Sequence, residues 1–328
     1  MSLDAIDFTQ LPAPHVVRAL DFQTIFDEIK ADFLARDETY ENLAESDPAW
    51  VLLEVAAYRE FTIRQQINDD ARAVMLPYAV GADLDNLAAN FNIERAVVVE
   101  ADLEARPIVE EVLESDDSLR RRTQLAFETA AVAGPINEYI AHALNASGEI
   151  KSVSVDVPRF DYVAIPAEAA PYLPAGIIAL VPTYDAGLTD PQPGDVALTL
   201  LAHTGTGEVD QTLCDEIEAT LDDKTPVTDS VFVRSAQIVE FDVSATLYCY
   251  ADLGAEEAIA NATAALNAYV SGAHRLGYDI TLSGIYAALH QTGVQRVELH
   301  APTANIIIGK RQAAYCTGID LQYGGVAE

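Results

Sequence analysis

The sequence predicts an α+β protein in which an N-terminal helical domain precedes two small α+β domains of the β-β-α-β, ferredoxin-like type. Three observations carry that expectation. Apolar residues recur at spacings of three and four over much of residues 21–112, the period of a helix with one covered face. From about residue 150 the chain changes to short alternating or β-branched runs, the period of a strand. Strands flank helices twice in succession, first in residues 113–235 and again in residues 236–328. At 328 residues the chain also exceeds the roughly 250–300 that one core supports, so several domains are expected.

Residues 1–20, with Leu11-Pro12-Ala13-Pro14, have no helical period, and each proline fixes φ and restrains the residue before it. They suit an extended arm that lies on a neighbour. Phe22, Ile25, Phe26, Ile29 and Phe33 then make residues 21–36 an amphipathic helix. Next, Asp47 can cap free backbone N–H groups and Pro48 fits a first helical turn, where its missing donor costs nothing. From there Val51, Val55, Tyr58 and Thr62 recur at helical spacing, and Ile63, Ile67, Ala71 and Met75 follow on an adjoining line. A stripe so wide suits either a helix touched on more than one side or a helix hairpin packed within its own domain. Pro77 and Gly81 break the run before Asp83 opens a short helix through Leu84 and Leu87, so residues 1–112 read as an arm and a mostly helical domain.

Ser115, followed by Asp116 and Asp117, caps a helix through Leu119, Thr123, Ala126 and Phe127, and Gly134-Pro135 starts another that ends near Gly148. Residues 152–157 alternate, residues 195–202 are β-rich, residues 208–221 are helical and residues 231–233 form a third strand, which gives β-β-α-β. Between the first two strands, residues 158–194 hold seven of the fifteen prolines, with Tyr162, Tyr172, Tyr184 and the apolar run 177–181. This insertion reads as a surface loop or hairpin, either a dedicated contact or a plain ordered loop. Residues 238–250 form the clearest strand, with Phe241, Val243, Ala245, Leu247 and Cys249 facing inward. After Gly254 comes a helix with Ile259, Leu266, Tyr269 and Val270. A second helix, capped by Ser283, ends at Gly293, and Val297 and Leu299 begin a return strand.

The formal net charge of −33 is spread along the chain, −18 over residues 1–117 and −15 over residues 118–328. Such a surface repels phosphate backbones and anionic lipid, which argues against nucleic-acid or membrane partners; it suits basic neighbours, high salt or simple solubility. Cys214, Cys249 and Cys316 are far apart and odd in number, as reduced core residues are. No basic start leads into an apolar run and no stretch reaches about 18 apolar residues, so neither signal-peptide export nor membrane insertion is expected.

The search for chemistry assigns no catalytic, cofactor or metal residue. His15, His142, His203, His274, His290 and His300 form no HExxH pattern and no paired ligand spacing, and His290, on an apolar helix, reads as a satisfied side chain. Gly205 and Gly207 in His203-Thr204-Gly205-Thr206-Gly207 invite a phosphate loop, but there is no third glycine and no P-loop lysine, and Glu208 and Asp210 repel anions. A turn with a helix cap accounts for it better. No GxSxG elbow occurs, and Asp83 with Asp85 lacks the other ligands of a calcium loop. Arg120-Arg121-Arg122 is the single basic cluster. It reads either as a solvated face that balances Asp116 and Asp117 or as an anchor that pairs a neighbour's carboxylates bidentately.

The wording of the chain adds a resemblance. Asp47-Pro48, Tyr58-Arg59-Glu60, Arg64 with Ile67-Asn68, the run 71–76 and the close 81–88 resemble the baseplate assembly protein J family of contractile phage tails. Further blocks that resemble it are Leu11-Pro12-Ala13-Pro14, Arg121-Arg122 through Ala133-Gly134-Pro135, Pro226-Val227-Thr228-Asp229-Ser230-Val231, residues 283–290 with 293–299, and Ala313-Ala314-Tyr315-Cys316-Thr317. They span nearly the whole chain; the likeness is weakest in the insertion 158–194.

The resemblance implies a structural, non-enzymatic wedge subunit of a baseplate that forms the inner ring around the hub and couples the trigger to sheath contraction. It implies two copies per wedge, a six-fold ring, a helical bundle with a tail-protein-I-like wedge partner, contacts with a lysozyme-like wedge protein and the central hub, and a place in the virion after assembly in the host bacterial cytoplasm. The residues expected at partner interfaces are Trp50, Val51, Val55, Tyr58, Arg64, Ile67, Arg120, Arg121 and Arg122. The alternatives are a receptor-binding or adhesion module, with the insertion as contact surface, and a hydrolase built on a carboxylate pair.

Overall fold

The computed structural model describes residues 14, 16–36, 40, 43–126, 136–166, 168–174, 176–250 and 254–326. It divides into two compact units, Met1–Arg95 with Ser115–Gln124, and Ala96–Glu114 with Leu125–Glu328. The expectations placed on Leu11-Pro12-Ala13, Phe127 and Gly134-Pro135 lie outside the described residues. Among the described residues no helix is long and apolar enough to cross a membrane.

The first unit holds α1 (Phe22–Arg36), α2 (Pro48–Ala73), α3 (Gly81–Ala89) and α4 (Asp116–Gln124). Ile25 and Phe26 of α1 pack on Leu53 and Ala57 of α2, with Phe33, Trp50 and Phe61 around them. Trp50 lies 5.0 Å from the Phe26 ring. Buried Asn68 donates to the Arg18 carbonyl at 2.8 Å and accepts the Arg18 N–H at 3.1 Å, which ties the chain ahead of α1 to the C-terminal part of α2. α2 starts at Pro48 as expected, but Asp47 does not cap it: its Oδ2 accepts the Ala44 N–H at 2.9 Å instead, bracing the preceding turn. α3 begins at Gly81, two residues before the expected Asp83. Its first N–H donates to Asp116 Oδ2 at 3.1 Å, so a carboxylate from another helix does the capping. Ser115 Oγ accepts the Ser118 N–H at 3.3 Å at the start of α4.

The helical expectation for residues 1–112 fails after Ala89. β1 (Val97–Val99) and β2 (Val112–Leu113) pair antiparallel, and an Asp102–Val109 bridge extends the ribbon. A run of β-branched valines is stiff at χ1 and suits a pleated ladder better than a helix.

The second unit continues with α5 (Ile136–Ala146), β3 (Ile150–Asp156), β4 (Arg159–Val163), β5 (Ala179–Tyr184), β6 (Asp195–Ala202), α6 (Gln211–Asp222) and β7 (Ser230–Ser235). It ends with β8 (Gln237–Cys249), α7 (Ala255–Ala273), α8 (Leu282–Leu289), β9 (Val294–Ala301) and β10 (Gln312–Val326). β6 is the centre of a β3-β6-β7 sheet, buried at all eight positions, antiparallel to β3 and parallel to β7 through the α6 crossover. Leu198 and Leu200 pack on Ile217 and Leu221 of α6 and on Tyr139 and Leu144 of α5.

The second sheet has the order β10-β8-β9. Phe241, Val243, Ala245, Leu247 and Cys249 face inward as expected, onto Ala262 and Leu266 of α7 and Ile285 and Leu289 of α8. The cap of α8 is Thr281, not Ser283: Thr281 has extended backbone and its Oγ1 accepts the Gly284 N–H at 3.1 Å, whereas Ser283 is already helical. β10, which runs parallel to β8, was not among the expected strands. A single residue, Ala236, separates β7 from β8; it packs with Leu201 and Ala313 between the two sheets. Lys310 adds an ion pair to Asp156 at 3.2 Å. The insertion 158–194 forms an antiparallel β4-β5 hairpin with Tyr162, Tyr172 and Ile178 exposed.

Candidate assembly interface

α2 is apolar on more than one side, and its own unit covers only one. The covered side is Leu53, Ala57 and Asn68, with Trp50 and Phe61 beside them. The expected stripe lies largely outside that covered side, on flanks of the helix: Val51 is 54% exposed, Val55 53%, Tyr58 65% and Ile67 56%. Leu52, Ile63 and Val74 are exposed as well. With Ala56 they give the line 52, 56, 63, 67, 74, whose eleven-residue recurrence keeps it straight along an α-helix. Leu52, Ile63 and Val74 were not among the expected interface residues, although that four-and-seven spacing was legible in the sequence. Exposed apolar residues this numerous along α2 and its cap make it the candidate contact surface.

The other expected residues divide by what already holds them. Trp50 belongs to the core; its Nε1 donates to Glu54 at 2.9 Å and Lys30 lies over the ring at 4.5 Å. Arg64 reaches Glu60 on its own helix and Glu28 on α1 at 3.5 Å, so it braces the α1–α2 pair. Arg120 is engaged within the unit: Nε donates to the Leu76 carbonyl at 2.9 Å, Nη2 to the Ala79 carbonyl at 2.8 Å and Nη1 to Asp117 at 2.6 Å. Arg122 donates to the Glu94 carbonyl at 3.2 Å, and Arg121 is exposed. Next to them Arg95 bridges Asp85 and Asp116, at 2.7 Å each. The backbone N–H of Gly81 and the Arg95 guanidinium hold the Asp116 carboxyl below its ordinary range.

The chemistry-bearing residues elsewhere are dispersed. Among the described residues no three His, Cys, Asp or Glu side chains are arranged to hold a metal. His274 contacts the Ala314 carbonyl at 2.6 Å, His300 contacts Thr246 at 2.9 Å and His142 lies 3.9 Å from Glu138. The glycine pair forms a turn, with Gly205 at φ +60 and Gly207 at φ +93, closed by the Ala202 N–H on the Gly207 carbonyl at 2.8 Å. The helix beyond it is capped by Asp210, which accepts the Thr212 N–H at 3.2 Å. A carboxylate already occupies the position an anion would take.

Residues 45–102, which include all of α2 and α3, match the Baseplate J-like N-terminal domain, and residues 241–322 match the Baseplate J-like protein C-terminal domain. The chain is similar to baseplate protein J of Escherichia phage P2, with 39% identity over 332 residues that cover 98% of this chain and 99% of that protein. A chain of the six-fold symmetrised cryo-EM structure of the anti-feeding prophage baseplate aligns with 64% of this chain and 45% of its own length, at 11% identity and a TM-score of 0.39.

Proposed function

Because this chain belongs to the baseplate J family, with a structural role in a phage tail baseplate, we propose that it is a wedge subunit of the inner ring around the hub, coupling the trigger to sheath contraction. The observation that carries the reading is 39% identity over 98% of the chain, which no shared motif alone would produce. A subunit of this kind associates with other baseplate components. The bare apolar flanks of α2 support a more specific assignment: partner helices pack on them, a second copy in the wedge and a tail-protein-I-like partner, with Val51, Val55, Tyr58 and Ile67 as contacts. Residues 1–112 then supply the arm and bundle, and residues 113–235 and 236–328 the ring contacts with further wedges, the lysozyme-like wedge protein and the hub. Assembly in the host cytoplasm precedes incorporation into the virion. Arg121 is the exposed member of the basic cluster.

Co-expression with the tail-protein-I-like product of the same gene cluster tests the assignment. A stable complex on gel filtration is expected, and Val55→Asp with Tyr58→Asp should abolish it while leaving the circular dichroism of the isolated chain unchanged, since both side chains are solvated there. A complex that survives the double substitution removes α2 from the interface. A chain that stays a monomer with every neighbour removes the wedge assignment.

A further inference from the structure

Beside the start of β6 the second unit has an open cleft of about 380 Å³ that the assembly reading above leaves unused. Its walls are apolar, with Ile136 of α5, Val157 after β3, Phe160 of β4 and Pro193 before β6. Its polar lining is two carboxylates and a phenol: Asp195, Asp229 and Tyr139.

The chain brings the two acids together by register. Asp195 pairs with Ser230 across the parallel β6–β7 ladder, so Asp229, the residue before Ser230, lies beside it. Gly194 makes the approach feasible: at φ +101, a Cβ there would stand 2.6 Å from the Thr228 carbonyl oxygen. The block Pro226-Val227-Thr228-Asp229-Ser230-Val231, singled out in the sequence, thus contributes Asp229 to the cleft.

Neither acid has a cation. Asp195 is 6% exposed, and its Oδ2 accepts the Gln192 N–H at 2.6 Å. Its Oδ1 has no hydrogen-bond partner among the described residues. Asp229 accepts the Tyr139 hydroxyl on Oδ2 and Thr228 Oγ1, at 3.1 Å, on Oδ1. No Lys, Arg or His of the described residues pairs with either acid, although Asp156, at the end of β3, is matched by Lys310. Buried carboxylates are normally paired, because burial without compensation costs several kcal/mol. The apolar walls suit a methylene stem and the acids suit the charge at its end.

We infer that this cleft is a socket for a lysine or arginine side chain presented by a neighbouring protein. A chain of net charge −33 attracts basic segments over distance, and the socket fixes where one of them lands. The inference does not depend on the wedge reading.

The test is an amide NMR titration of the full chain with the tripeptide acetyl-Ala-Arg-Ala-amide, and with the same peptide carrying citrulline, which keeps the shape and removes the charge. Saturable shifts at the amides of Gly194, Val196 and Ser230 are expected with arginine, at least about tenfold weaker with citrulline, tenfold being one step of about 1.4 kcal/mol. Asp229→Asn should weaken the arginine peptide about tenfold with the spectrum otherwise native. Asp195→Asn should do the same, and Val157→Trp, which fills the mouth from an exposed position, gives a second route should Asp195→Asn fail to fold. Equal shifts from citrulline, no saturable shift at these amides, or unchanged binding in a natively folded Asp229→Asn variant would each overturn the socket.

Discussion

Replacing Arg120 by methionine separates an internal brace from an inter-subunit anchor. The methionine keeps the stem and removes the fork that holds the Leu76 and Ala79 carbonyls, at 2.9 and 2.8 Å. Ala79 is completely buried, so water cannot readily replace the lost donor. A hydrogen bond to a charged group contributes about 1.5–3 kcal/mol, and two that share one guanidinium are less than additive, so the expected loss is about 3 kcal/mol. The ion pair to Asp117 adds nothing measurable, because that carboxylate is 95% exposed. With a urea slope of about 1.5 kcal/mol per molar, the midpoint should fall by about 2 M. Trp50, the chain's one tryptophan, lies in the same unit, and its fluorescence reports the transition. Arg120→Lys should lose about half as much, since an ammonium reaches one carbonyl more readily than two. Asp117→Asn should change nothing. A midpoint for Arg120→Met within about 0.3 M of the parent, or an equal loss for Asp117→Asn, would refute the brace.

Acid should weaken the second unit through its histidines. Burial holds His142, His203 and His274 below the ordinary imidazole value, helped by Lys224 at the first and Lys151 at the other two. A depressed imidazole pKa means that below about 6.5 the unfolded chain takes up protons that the folded chain refuses. Stability is therefore full above that pH and falls below it. The denaturant midpoint followed by β-sheet circular dichroism should be lower at pH 5.5 than at pH 7.5; an unchanged or higher midpoint contradicts the assignment. For the turn before α6, Gly205→Ala meets open space at positive φ and should cost about 1 kcal/mol, whereas Gly207→Ala also meets Leu201 Cδ1 at 2.5 Å and His274 Nε2 at 2.8 Å and should cost at least about twice that. Equal thermal shifts for the two variants would contradict this. Burial pushes the thiols of Cys214 and Cys249 up and closes them to solvent. An aromatic disulfide reagent should find at most Cys316 in the native protein, and three equivalents reacting within seconds would count against that packing.

The parts of the fold legible in the sequence are those with a local cause. The alternation from Phe241 to Cys249 and the residues Phe26, Ile29 and Phe33 of α1 each name one covered face, and the structure covers it, while Phe22 stays exposed. Seven of the eight buried positions of β6, all but Asp195, also announce themselves, as a run of apolar and small residues. What escaped depends on partners far along the chain. β10 pairs parallel with β8 from over sixty residues away, and its alternation of Ile319, Leu321 and Tyr323 with Asp320 and Gln322 is interrupted by glycines. Asp116 caps α3 from another helix, which no spacing within α3 reveals. The proposed interface on α2 was half legible: the apolar positions stand in the sequence, but periodicity alone does not say which side the unit's own core takes. Leu53 and Ala57 took it, leaving Val51, Val55 and Tyr58 outside. Arg120 shows the opposite case. A run of three arginines looks like surface, yet its first member points inward because two carbonyls at the end of the α2–α3 turn need a donor.

The hairpin of residues 158–194 starts and finishes at nearly the same place. β3 and β6 are antiparallel neighbours, with Asp156 facing Ala197, so a tight turn of a few residues would join them. The excursion is surplus to the sheet, and the entropy of closing a loop rises only slowly with its length. Its tip is therefore a natural grafting position. A foreign peptide or small domain spliced between β4 and β5, away from Asp156 and Tyr184 at the hairpin's base, would leave the β3-β6-β7 ladder untouched and give a particle built from this subunit a tag repeated with every copy.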